Sequence, residues 1–248
     1  MIDHNAWLGA WPFRPLGDRG TVPFLLKAMD RLHIEKSWVS ALDGIFHRVP
    51  HSSNRWLAAQ VAGHADRLEP VPILHPGLAD FSDSLRRIVG QTPRPPAIRL
   101  VPAMQESHPV RIASALHEVS GSGLSMVLTI RLVDPRARHP RLALPELSPD
   151  ETLGWVQKLQ PARVILAGCT INELRNLHAR ALPENAAFES SFLDGPDSLG
   201  EARDLLGVDR VLSGSNAPLN FQEAMVVKWC PGKIPPLVRP RQDLRDIS

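Results

Sequence analysis

Four small groups of side chains in this sequence could do chemistry. Asp3, Asn5 and Trp7 stand two apart in an opening run, residues 1–9, that reads as a strand closed by a glycine turn. Side chains two apart on a strand share a face, so all three point the same way. Arg99 and Arg131 lie within apolar runs, where alternation sets Arg99 beside Ala97 and Val101, and Arg131 beside Thr129 and Val127. An arginine on an apolar parallel strand is costly unless it is paired or holds an anion. With Asn5, Ser213, Ser215 and Asn216 the two arginines could form a pocket for a carboxylate or phosphate. The competing reading pairs both with strand-end carboxylates such as Asp43, Glu189 or Asp194.

The remaining candidates are histidines and a cysteine. His75 follows the third apolar run and His139 lies in the long connection after the fifth. Either could act as a general base near its ordinary pKa, and either could instead make local hydrogen bonds. His47, His51 and Asn54 form a polar loop that leaves a three-residue zinc site open, although no tight ligand spacing marks it. His4 alternates with Asn5 and should face outward into packing. Cys169 has no thiolate-stabilising partner nearby in sequence, so no nucleophile is assigned to it.

These residues need elements to position them. Apolar runs at 2–8, 36–42, 71–74, 97–101, 124–132, 163–167, 187–192 and 210–213 read as strands. Helical stretches follow each, near 23–32, 55–65, 80–89, 109–119, 150–159, 171–181, 198–206 and 220–229. Repeated strand–helix units imply a parallel sheet, and eight of them in 248 residues predict closure into a single (β/α)8 barrel over 1–230. The Pro-rich segment 231–248 reads as an extended or mobile tail. An open doubly wound sheet is the rival fold, but no Gly-x-Gly-x-x-Gly follows the first strand. In a barrel the candidate residues collect at the C-terminal strand ends. The connection 133–147, with Arg136, Arg138, His139 and Arg141, is long enough to be functional or disordered.

Two segments carry a resemblance. The opening Ile2-Asp3…Gly9 and the run Val211-Leu212-Ser213-Gly214-Ser215-Asn216-Ala217-Pro218 resemble motifs of the amidohydrolase-related metal-dependent hydrolases, which are TIM barrels. The resemblance implies that Asn5 and Trp7 stand where that family has two histidine ligands. It likewise sets Thr129 and Gly168 at two further histidine positions, and Asn216 at the aspartate that binds metal and acts as general base. An amide is neutral and takes up no proton at neutral pH. The expectation is therefore no metal site at these positions and no cofactor, with a relocated divalent ion such as zinc at His75, His139 or the His47–His51 loop left open.

The function this implies is a metal-independent hydrolase, cleaving a lactone or amide or decarboxylating a small carboxylate. Arg99 and Arg131 would hold the anion, with Asn5, Trp7, Thr129 and Ser215 lining the pocket. Asn5 and Asn216 would orient a carbonyl or water, and His75 or His139 would move the proton. The alternative is a catalytically inactive barrel that binds a ligand or partner, with Trp7 plugging the vacated centre.

Composition narrows the partners. Twenty-eight basic and 26 acidic residues give a net charge of +2, with no electrostatic footprint for nucleic acid or an anionic membrane. The expected partner is a small anionic organic substrate, with homodimerisation a prior from related barrels. Two distant cysteines suit a reducing compartment. The first strand starts at Met1, and no apolar run reaches membrane-span length, so a cytoplasmic location is expected.

Overall fold

The computed structural model describes residues 1–102, 109–142, 147–160 and 162–231. Among them, eight strands alternate with eight helices: β1 (Ile2–Leu8), α1 (Val22–Leu32), β2 (Lys36–Ala41), α2 (His51–Val61), β3 (Leu68–Pro70), α3 (Phe81–Val89), β4 (Ala97–Leu100), α4 (Pro109–Gly121), β5 (Ser125–Thr129), α5 (Pro149–Lys158), β6 (Val164–Ala167), α6 (Ile171–Ala179), β7 (Ala186–Glu189), α7 (Ser198–Leu206), β8 (Val211–Leu212) and α8 (Gln222–Trp229). The ladders are parallel and run β1-β2-β3 and β4-β5-β6-β7-β8. Two seams join them. Ile73 bridges to Arg99, with Arg99 N–H donating to Pro72 O at 2.8 Å and Leu74 N–H to Arg99 O at 3.0 Å. On the other side His4 N–H donates to Ser213 O at 2.9 Å and Trp7 N–H to Ala217 O at 2.8 Å. The sheet is thus a closed barrel, the fold the sequence predicts. The expected tail lies, from residue 232 on, outside the described residues, as does 143–146 of the connection after β5.

Strand alternation sorts the core into inside and outside. Ile98, Leu100, Met126, Leu128, Val164 and Leu166 face outward and pack under helices α3 to α7. Ala6, Leu8, Val39 and Ala41 do the same under α1, α2 and α8. The odd-numbered partners Ala97, Val127, Ile165, Ala167 and Ala187 meet inside the barrel with Val71. Burying both faces explains why these strands read as continuous apolar runs.

Helix ends follow local chemistry. Ser148 with Glu151, and Thr170 with Glu173, form capping boxes that start α5 and α6. Pro23 sits in the first turn of α1, and His33 ends that helix in the left-handed region at φ 55°. Several boundaries differ from expectation, among them those of the third strand and the second helix. The third strand is Leu68–Pro70 rather than 71–74; Pro72 has no N–H to donate, so beyond Pro70 the ladder to β2 ends after the bond from Val71 N–H to Val39 O. The amide of Asn54 replaces the missing strand neighbour, donating to Ile73 O at 2.8 Å and accepting from Ile73 N–H at 2.9 Å. The second helix begins at His51, four residues earlier than 55. Among the described residues no helix is long and apolar enough to cross a membrane.

Candidate functional site

One polar layer crosses the barrel interior near the C-terminal strand ends, and Arg99 is its centre. From β4 its side chain runs inward and is 0 % exposed. Nε donates to Ser40 Oγ on β2 at 2.8 Å, and Nη1 donates to Asn5 Oδ1 on β1 at 3.0 Å and to Thr129 Oγ1 on β5 at 2.9 Å. Nη2 is buried and, among the described residues, has no hydrogen-bond partner. Burial pushes the guanidinium down to about 9, against the pull of the Glu189 and Asp3 carboxylates, so it is cationic at neutral pH.

Two buried carboxylates flank this cation without touching it. Asp3 accepts from Ser215 N–H at 2.9 Å, Ser215 Oγ at 2.6 Å and Asn5 N–H at 3.1 Å. Glu189 accepts from Gly168 N–H at 2.8 Å, Ser191 N–H at 2.9 Å and Ser191 Oγ at 2.7 Å. Burial pushes the Glu189 carboxyl up, and the Ser191 and Gly168 hydrogen bonds oppose that only in part.

An apolar lid covers the layer. The Trp7 ring lies 4.0 Å from the guanidinium carbon of Arg99, a cation–π contact in a desolvated setting. Its indole Nε1–H donates to Asn216 Oδ1 at 2.9 Å, and Asn216 Nδ2 donates to Leu132 O at 2.9 Å. Around Trp7 pack Leu42, Ile73, Val101, Leu132 and Leu219, with Trp11 above them.

The structure therefore brings Asn5, Trp7, Arg99, Thr129 and Asn216 together, with Ser215 in the adjoining Asp3 cluster. Four expected roles need correction. Arg131 does not join Arg99 in an anion pocket: its Nη1 and Nη2 meet Glu173 of α6 at 2.8 and 2.6 Å, and Nη1 also donates to Gly168 O at 2.9 Å. The carboxylate lies on α6, the helix that follows the neighbouring strand β6, which alternation along β5 could not reveal. Asn216 has both side-chain polar atoms committed to Trp7 and Leu132, so it clamps the lid instead of orienting a substrate. His75 lies in a groove between α2 and α3, beside Pro50, Asn54 and Phe81. Its Nδ1 accepts from Gly77 N–H at 3.2 Å, and burial pushes its pKa down. His139 Nδ1 likewise accepts from Arg141 N–H at 3.1 Å. A neutral imidazole accepting at Nδ1 carries its proton on Nε2. Both rings thus present an N–H donor, the opposite of a general base.

Three residues of the layer have no role assigned from the sequence: Asp3, although it shares a face with Asn5 and Trp7, Ser40 and Glu189. Each had a signal in strand alternation, since Ser40 shares a face with Trp38 and Glu189 with Ala187. Glu189 was weighed only as an ion-pair partner. Cys169 is buried and its thiol is pushed well up by that burial. His47 Nδ1 pairs with Ser53 Oγ at 2.9 Å.

The Arg131–Glu173 pair gives a pH-dependent prediction. Burial raises the Glu173 carboxyl, but hydrogen bonds from Arg131 and the Thr170 N–H outweigh it and hold the group below 4.5. A lowered carboxylate pKa adds stability that is complete above the unfolded value and is lost as pH falls through the folded one. Glu173→Gln should therefore cost on the order of 2 kcal/mol at pH 7, and this difference should shrink below about pH 4.5. Urea unfolding of both proteins at pH 7 and 3.5 measures it; an equal difference at both pH values would exclude the linkage.

No family model matches the sequence, and no curated protein matches it. Solved structures do. The chain is similar to 2,6-dihydroxybenzoate decarboxylase from Rhizobium, at 17% identity and TM-score 0.69, over 92% of this chain and 91% of that one. It is similar to a dihydroxybenzoic acid decarboxylase from Polaromonas with bound manganese and the inhibitor 2-nitroresorcinol, at 16% identity and TM-score 0.69, over 92% and 89%. It is also similar to an amidohydrolase II, at 13% identity and TM-score 0.63, over 91% and 89%. At these identities the likeness is one of fold, and the fold is the amidohydrolase-type barrel that the motifs resemble.

The manganese corrects one expectation. Absence of a cofactor does not follow from this fold, because a barrel of the same architecture carries a divalent metal. The residues at this chain's own strand ends nevertheless do not suit such an ion. Asn5 Oδ1 and Thr129 Oγ1 already accept from a cation, the Arg99 guanidinium. At Gly168 a Cβ would lie 2.3 Å from Arg131 O, so no ligand side chain fits there. Among the described residues no three His, Cys, Asp or Glu side chains group to hold a metal.

Proposed function

We propose that this barrel binds a small organic carboxylate against the Arg99 guanidinium and acts on it as a hydrolase or decarboxylase. The observation that supports this reading is Arg99 Nη2, buried and, among the described residues, without a hydrogen-bond partner. Leaving such a donor unpaired costs about 1–3 kcal/mol, and more for a charged group, so an incoming carboxylate oxygen gains what the apo protein lacks. Asn5, Thr129 and Ser40 fix the fork's direction, which leaves Nη2 as the edge available to a ligand. Glu189, raised by burial in the same layer, is the group suited to hold the proton that replaces carbon dioxide on carbon, or that moves in hydrolysis. The decarboxylases of the same fold bring the substrate class to mind, and fold alone does not decide the reaction.

A non-catalytic, ligand-binding barrel is the second reading, and Trp7 favours it. The indole is 1 % exposed, stacked on Arg99 and tied to Asn216, so a ligand reaches Nη2 only if this lid moves. One experiment separates the two. Purified protein, with and without added manganese, is incubated with hydroxybenzoates and small lactones while products and binding heats are recorded. Turnover is expected for the enzyme, and saturable binding without product for the binder. Neither binding nor product across the panel would sink both.

A further inference from the structure

The mouth of the barrel carries a second, outer recess that the Arg99 layer does not use. It has a volume of about 130 Å³ and is walled by Trp11, Phe13, Val133, Leu142 and Leu219, with Arg14 and His139 at its edge. A dry cavity of about 150 Å³ accepts benzene, so this recess suits one six-membered ring. One wall is a continuous aromatic surface: Trp11 and Phe13 touch at a 60° tilt with centroids 5.4 Å apart, and Phe13 and His139 touch at 40° with centroids 5.5 Å apart, so a guest ring packs onto this surface.

The polar edge is cationic or donating throughout. Arg14 Nη2 donates to Leu219 O at 2.5 Å, which holds the guanidinium in place and leaves the exposed remainder of its fork for a ligand. His139 accepts at Nδ1 from Arg141 N–H, so its Nε2 is a donor. Among the described residues that line it there is no carboxylate. From this juxtaposition we infer that the recess binds a single-ring compound bearing one anionic group, its ring packed against the wall that Trp11 and Phe13 form together and its anion on Arg14 and the His139 Nε2–H. The site is separate from the Arg99 layer and stands whether or not that layer binds anything.

Fluorine NMR titration of the full-length protein tests it. The probes are 4-fluorobenzoate, 4-fluorobenzenesulfonate, the neutral 4-fluorobenzamide and the ringless fluoroacetate. The two ring anions should bind, and the amide and fluoroacetate about tenfold or more weakly, since each lacks one of the two contributions, the charge-assisted contact or the ring burial. The sulfonate arm tells a general anion site from a carboxylate site. Arg14→Gln should weaken 4-fluorobenzoate about tenfold, Val133→Trp should block it, and the bound ring should show nuclear Overhauser contacts to Phe13. Arg14 and Val133 lie at the mouth, so folded variants are expected, and circular dichroism checks this. Wild-type protein that fails to bind, unchanged affinity in both folded variants, or contacts to Trp7 and Asn5 in place of Phe13 would each overturn the proposal. The last of these would favour the Arg99 reading instead.

Discussion

Gly168→Ala is expected to abolish accumulation of the folded protein. Gly168 sits just past β6 at φ +94°, a backbone region that L side chains rarely adopt, and a Cβ there would lie 2.3 Å from Arg131 O and 2.8 Å from Arg131 Cβ. Neither atom can retreat. Arg131 is held by Glu173 and by Gly168 O itself, and its backbone N–H also reaches back to Ala167 O. The Gly168 N–H is meanwhile a donor to the buried Glu189, so displacing this segment also strips a hydrogen bond from a carboxylate in the polar layer. Backbone strain, a steric clash and an unsatisfied buried acceptor together exceed about 4 kcal/mol, the range in which single substitutions unfold domains. Soluble yield and circular dichroism measure the outcome; a folded, normally melting Gly168→Ala protein would show that the turn can relax. Gly154, which has open space around its Cβ position, provides the control, since alanine in helix α5 should be tolerated or mildly stabilising.

Arg99→Met is the second large effect, and its sign rests on two opposed quantities. Removing the guanidinium relieves a buried charge whose pKa is depressed from 12.5 to about 9, a relief on the order of 5 kcal/mol. Against this, Asn5, Thr129 and Ser40 each lose a charged donor at about 1–3 kcal/mol apiece, and the Trp7 contact loses about 2. The attraction of the Asp3 and Glu189 carboxylates is already contained in that depressed pKa and is not counted again. The losses win. Arg99→Met should destabilise by about 3 kcal/mol and lower the melting temperature by roughly 6–12 °C, and it should remove any carboxylate binding at the barrel centre. Arg99→Lys keeps the charge but not the planar fork, and should fall between the two. Equal stability of Arg99→Met and wild type would mean that the layer contributes nothing to folding.

The two predictions bear on the same question, namely what has taken the centre of this barrel. At Gly168 the space for a side chain is closed by Arg131, whose own fork is drawn outward to Glu173. At Asn5 and Thr129 the oxygens face a guanidinium. Trp7 lies across that guanidinium and Asn216 holds Trp7. These contacts form one connected arrangement in which each residue needs its neighbour, so a change at one site should propagate, and double-mutant cycles across Trp7 and Arg99 should be non-additive.

Much of the architecture was legible along the chain. Alternation along the eight strands, turn residues at their ends and helical stripes between them were enough to expect a closed barrel, because period-2 and period-3.6 burial are local consequences of backbone geometry. The apolar run 71–74 marks the end of the third strand and not its ladder-paired part, because Pro72 has no N–H to donate and only the bond from Val71 N–H to Val39 O continues the pairing with β2 past Pro70. Arg99 could be singled out as an inward cation from its apolar strand alone. The sequence could not say that Arg131, with the same alternation, would find Glu173 forty-two residues further on, nor that His75 and His139 would each be turned into donors by a backbone N–H two residues away.

What the sequence determined by itself was therefore which face each strand residue takes and that charge must be buried inside an apolar barrel. Only the tertiary structure decided the partners: Ser40, Asn5 and Thr129 come to Arg99 from 59, 94 and 30 residues away, and Asn216 comes to Trp7 from 209. Facing is a property of one strand's pleat, whereas pairing depends on how deep each residue sits and on the stagger between strands. Those are set when the barrel closes and the β1–β8 and β3–β4 seams form.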